Sequence, residues 1–148
     1  MRTTIVLVLF SIILFSSCNI ALANENDIGQ SKIYPTHPLY FLKKIREILE
    51  LKFAPNREIQ AIRYLEFAQR RIREVRSLVE ARRADLIAPI LEHYIFNLAK
   101  ALDLTDLKDE AKVRQVADTV YMHLQNLEDI YSKIDHEAAK RSIRTTLF

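Results

Sequence analysis

A chain of 148 residues with one glycine, Gly29, has almost no means of making the tight turns on which sheets depend. Four prolines, Pro35, Pro38, Pro55 and Pro89, are its other strong breakers. Between them run mostly alanine, leucine, isoleucine, glutamate, lysine and arginine, whose side chains lose little freedom in a helix. Long helices with short connections are therefore expected, in a chain long enough for one modest domain.

The apolar spacing agrees. Leu39, Leu42, Ile45, Ile48, Leu49 and Phe53 recur every three or four residues, so a first helix is expected from near Pro38, capped by Thr36 or His37. Its apolar stripe should be covered by another helix, with Lys43, Lys44, Arg46, Glu47 and Glu50 on the opposite face. A second helix is expected from about Asn56 to Arg83 on the stripe Ile59, Ile62, Leu65, Ala68, Ile72, Val75 and Val79. Phe67 lies off that stripe, and cover by the first helix is one way to bury it together with Tyr64. Asp85 is the expected cap of a third helix, with Pro89 tolerated in its first turn. Thr105 or Asp106 should open a fourth, which either continues toward Arg144 or gives way to a short helix at Asp135. The expected fold class is all-α: an up-and-down antiparallel bundle of about four helices over residues 34–148.

Residues 1–23 read differently. Arg2 is followed by an apolar run from Ile5 to Phe15, and small residues then lead to Ala21-Leu22-Ala23. That is the pattern of a signal peptide cleaved after Ala23, which would place residues 24–148 outside the cytoplasm. Two other fates fit the same stretch: lipidation at Cys18 after Ser16-Ser17, or retention as a membrane anchor. Cys18 is the only cysteine, so cleavage after Ala23 would leave no thiol for a disulfide, a metal or a nucleophile. Residues 24–33 are polar, show no apolar period and are expected to form a flexible tether.

Two segments carry a family resemblance. Residues 34–44, YPTHPLYFLKK, include Pro35, Pro38, Leu39 and Tyr40; residues 64–72, YLEFAQRRI, include Leu65, Glu66, Phe67, Ala68 and Arg71. Over about residues 33–104 the chain resembles an exported bacterial helical family of unknown function, domain of unknown function 5667. The resemblance implies a secreted or membrane-tethered helical module and brings no activity with it. His37 stands where that family has a small hydroxylic residue, and the fourth helix falls outside the resembling stretch.

No phosphate-binding, nucleophile-elbow or zinc-protease motif occurs, and Glu-x-x-His, the spacing of carboxylate-bridged metal bundles, is absent. The chain is therefore expected to be no enzyme and to hold no cofactor or metal. His93 and His123 are expected at helix surfaces or boundaries. Arg71 is poorly spaced from Glu66 within one helix and is expected to reach an acid on a neighbouring helix, with Glu92 the candidate. Residues 43–83 hold 12 Lys/Arg against 6 Asp/Glu, whereas residues 84–148 hold 8 against 11. Arg70-Arg71-Ile72-Arg73 is basic, but no recognition motif accompanies it, so no nucleic acid is expected.

Three roles follow from these features. The leading one is an exported, noncatalytic domain acting by contact with an envelope protein, with a possible membrane tether through its N-terminus. Another is a periplasmic chaperone or stress-sensor-like cradle, which exposure of Tyr64, Phe67, Tyr94 and Phe96 on one face would support and their burial would count against. The third is peripheral binding of anionic lipid or wall polymer by the basic segment. None of these features specifies an oligomeric state.

Overall fold

The computed structural model describes residues 28–147. The leader, with Cys18, Ala21 and Ala23, therefore lies outside the described residues. Five α-helices follow one another: α1 (Tyr40–Lys52), α2 (Arg57–Glu80), α3 (Ile87–Leu104), α4 (Glu110–Ser132) and α5 (Glu137–Leu147). A single 3-10 turn, Ala84–Leu86, precedes α3, and no strand occurs among the described residues.

The α2–α3 hairpin is the centre of the molecule. Asn56 starts α2 from extended backbone, and its side chain accepts the Ile59 N–H at 2.9 Å. At the other end Arg82 takes φ +56°, and the next N–H, of Arg83, returns to the Leu78 carbonyl at 2.8 Å. This is a Schellman closure with arginine where glycine is usual. The reversal comes at Ala81, two residues before the expected end at Arg83, because no glycine marks it. Asp85 does not cap α3; it pairs with Arg83 at 2.8 Å, and the 3-10 turn leads the chain in.

Ile72, Val75 and Leu78 of α2 are fully buried against Ile87, Ile90, Leu91 and Tyr94 of α3. Burial of each such aliphatic side chain contributes about 1.5–3 kcal/mol before ordering entropy is subtracted. Leu127 and Ile130 of α4 and Ala139 and Ile143 of α5 complete this core, while Leu65, Ala101 and Val116 form a smaller one. The expected all-α packing is found, with five helices among the described residues where about four are expected. The chain breaks after Ser132, and α5 starts afresh at Glu137.

Three other local readings are corrected. Asp109, not Thr105 or Asp106, caps α4, accepting the N–H groups of Ala111 and Lys112. Thr105 instead closes α3, its hydroxyl donating to the Ala101 carbonyl at 2.7 Å. Residues 28–33 are not a free tether. Ile28 is buried, the Ser31 N–H donates to Ser77 Oγ at 2.9 Å, and Gln30 donates to Glu80 at 2.6 Å.

His123 is fully buried rather than at a surface or boundary. Its ring meets Tyr94 edge-on, with centroids 5.8 Å apart, and this contact joins α4 to α3. Burial lowers its pKa from 6.5 to about 4, so the imidazole is held neutral. A base with a depressed folded-state pKa stabilises the fold above its unfolded pKa and loses that contribution as pH falls toward the folded value. Urea denaturation should therefore show stability falling between pH 6.5 and 4 by up to about 3 kcal/mol, and His123→Gln should flatten that slope.

Candidate docking surface on the first helix

Helix α1 reaches the rest of the fold through its polar side. The prolines impose two successive turns before it: the His37 N–H bonds the Tyr34 carbonyl at 2.8 Å and the Tyr40 N–H bonds the His37 carbonyl at 2.9 Å. The helix begins at Tyr40, two residues after the expected start. The capping contact comes from His37, whose Nδ1 accepts the Leu39 N–H at 3.1 Å; Thr36 is exposed. Tyr40, Lys43, Glu47 and Glu50, spaced by three, four and three, then fall on one side and meet α2.

The facing residues of α2 are also polar. Glu74 has no exposed surface and Arg71 is 4% exposed. Lys43 Nζ lies 2.5 Å from Glu74 Oε1, and Arg71 reaches Glu47 at 2.6 Å and Glu74 at 3.1 Å. The Tyr40 hydroxyl bridges the two helices, donating to Glu74 Oε2 and accepting from Arg71, each at 3.2 Å. Arg70 extends the seam to Glu50 at 2.8 Å, and Glu50 also accepts from Arg46 at 2.6 Å. Burial pushes the Glu74 carboxyl above its ordinary range and the Lys43 ammonium below its own, against the attraction between them. The Tyr40 hydroxyl is pushed upward first by burial and then by the Glu74 charge.

The apolar side of α1 consequently faces solvent. Phe41 is 57% exposed, Ile48 63% and Phe53 76%, and Leu39, Leu42, Ile45 and Leu49 are close to half exposed. No residue of α1 is buried. This reverses the expectation that another helix covers the stripe. Phe67 is nonetheless buried, with Tyr64 edge-on at 6.1 Å and the Arg70 guanidinium over its ring at 4.9 Å.

An open cleft of about 440 Å³ adjoins this face, between residues 30–33, α1 and α2. Lys32, Lys43, Arg46, Arg70 and Arg73 line it beside Ile33, Leu39 and Leu42, with no acid in its wall. A second cleft, about 410 Å³, opens where α2 begins and α3 ends, but its charges are matched: Lys112 pairs with Glu58 at 3.2 Å and Asp109 at 3.3 Å. Among the described residues no cluster of three potential metal ligands occurs, and no helix is long and apolar enough to cross a membrane.

The two segments that carried the resemblance meet at this seam, through Tyr40 and Arg71. Pro35 and Pro38 set the turns leading to it, and Leu39 sits exposed at its edge. The other motif residues serve α2 itself. Leu65 and Ala68 are core, and Glu66 pairs locally with Arg63 at 2.7 Å. Arg71 does reach an acid on a neighbouring helix, but that acid is Glu47; Glu92 is exposed on α3. The sequence does not reveal the polar seam, because each of its side chains fits an ordinary exposed helix face. The available signal was the spacing of Tyr40, Lys43, Glu47 and Glu50, a packing period carried by polar residues.

The fold and the seam define a helical module whose first helix is attached by charge. The chain belongs to the family described as Domain of unknown function (DUF5667), whose model matches residues 32–142. The match runs through α4 into α5, so the fourth helix, expected to lie outside the resembling stretch, is part of the family domain. No curated protein and no solved structure matches the chain.

Removing one member of a buried ionic cluster leaves the others without a counter-charge. Glu74→Ala should cost about 3–5 kcal/mol in urea denaturation, and joint replacement by Lys43→Met, Arg71→Met and Glu74→Leu should recover most of it. A cost below about 1 kcal/mol for Glu74→Ala would mean that the cluster is solvated.

Proposed function

We propose that this domain is an exported, noncatalytic docking module that works by contact at the cell envelope, with the outward side of α1 as its contact surface. One observation carries the reading: an amphipathic helix is held by its polar side while its apolar side remains in solvent. The exposed parts of these side chains add nothing to stability where they stand, and their burial against a partner would be favourable. The leader-like residues 1–23 support export.

The cradle reading has less support. Exposure of Tyr64, Phe67, Tyr94 and Phe96 on one face would support it, yet Phe67 and Tyr94 are buried, Tyr64 is half-buried, and Phe96 alone of the four is exposed.

In-cell photocrosslinking tests the docking surface. A photoreactive amino acid at Ile48 should give discrete adducts, of protein or lipid, whereas the same group at the exposed Gln125 of α4 should give none. Equal labelling from both positions, or none from Ile48 in folded protein, would refute the assignment.

A further inference from the structure

We propose that the outward face of α1 seats on an anionic phospholipid surface, with the basic cleft beside it receiving a lipid phosphate. This inference deepens the docking reading above and rests on it.

Charge selects the occupant. The acids of α1 are Glu47 and Glu50, and both turn inward to the arginines of α2. What α1 offers outward is an apolar stripe accompanied by the exposed Lys44 and Lys52, with Arg46, also exposed, paired to Glu50. Cations beside phenylalanine, leucine and isoleucine are the makeup of a helix lying in the plane of a membrane interface. A second copy of this chain docking by the same face would bring like charges together along its edges.

The cleft adds a place for the headgroup. Arg70 is committed to Glu50, but the Arg73 guanidinium has no hydrogen-bond or ion-pair partner among the described residues, and its buried Nε lacks an acceptor. The Lys32 ammonium, at the cleft mouth, also lacks a partner among them. Phosphate oxygens accept from a guanidinium in the strong, charge-assisted manner that Arg73 lacks here. Leu39 and Leu42, in the same wall, lead from the cleft to the apolar stripe, so a headgroup and its acyl chains have contiguous contacts.

The path of the chain enters the fold beside the same helix. Residues 28–33 run past α1, where the Ser31 hydroxyl accepts from Lys43 Nζ at 3.1 Å. Nine residues lie between Cys18 and Ile28, so the ten steps reach at most about 35 Å. A lipid on Cys18, or a retained leader, would hold a bilayer within that distance of Ile28.

The test uses the full chain with Cys18→Ser and an environment-sensitive fluorophore on Ile48→Cys. Vesicles containing phosphatidylglycerol should shift its emission to the blue, and phosphatidylcholine vesicles should not. A fluorophore on Tyr121→Cys, an exposed position of α4, should not respond to either. Arg73→Gln and Lys32→Gln should each weaken the response about fivefold, and high salt should weaken it further. Equal shifts in both lipids would overturn the headgroup site, and a vesicle-independent shift that grows with protein concentration would identify a second copy as the occupant instead. Competition by inorganic phosphate at concentrations matching the lipid phosphate would make the cleft a free-anion site and overturn the lipid assignment. No shift with any vesicle, while Ile48 still crosslinks in cells, would overturn the lipid occupant and leave the docking face standing; loss of both would overturn the docking reading as well.

Discussion

The buried carboxylate of Glu74 governs the orientation of α1. It lies in the middle of α2 with no exposed surface, and the cations beside it are Arg71 from its own helix and Lys43 from α1. A carboxylate in that position needs its counter-charges, since an uncompensated buried charge costs several kcal/mol. Lys43 supplies a charge and the Tyr40 hydroxyl a hydrogen bond only when the polar side of α1 faces α2, and in the same arrangement Glu47 pairs with Arg71.

Rotating α1 by half a turn illustrates the competition. Leu42, Ile45, Ile48 and Leu49 would then pack on α2 and gain about 1–2 kcal/mol each from their remaining exposure. The same rotation would seal the Glu74–Arg71 pair under hydrocarbon without Lys43, Tyr40 or Glu47, and breaking a buried ionic group in this way costs about 3–5 kcal/mol. The two sums are of similar size, so the hydrophobic gain does not dominate as it does elsewhere in the fold. Directional contacts, with Arg71 shared between Glu47, Glu74 and Tyr40, fix which arrangement forms. The outcome is a helix whose attachment and whose exposed surface are set by the same few side chains.

The central hairpin was legible in the sequence because its chemistry is ordinary. Ile72, Val75, Ile90, Leu91 and Tyr94 fall at helical spacing, and Asn56 is a strong cap. Boundaries without a glycine signal were less so: Arg82 closes α2 in a left-handed conformation that an arginine does not announce, and α4 is capped by Asp109, past the Thr105 and Asp106 that offer equally good capping side chains. The candidate surface was half legible. The stripe of α1 was evident, but apolar periodicity shows only which residues share a face, and the partner residues decide where that face points. Those partners, Arg71 and Glu74, sit in a helix dense with charge, where nothing local distinguishes a buried ion from a solvated one. His123 was misplaced for the same reason: a lone histidine carries no sign of its burial.

Methyl NMR of the lipid-free chain with a soluble paramagnetic agent tests the orientation of α1 without altering a residue. If the Glu74 cluster holds the polar side inward, the methyl signals of Ile45, Ile48 and Leu49 will be strongly broadened, while those of Ile72 and Leu78 will be spared. Protection of Ile45 and Ile48 equal to that of Ile72, in dilute monomeric protein, would contradict the account, because the apolar side of α1 would then be turned into the fold.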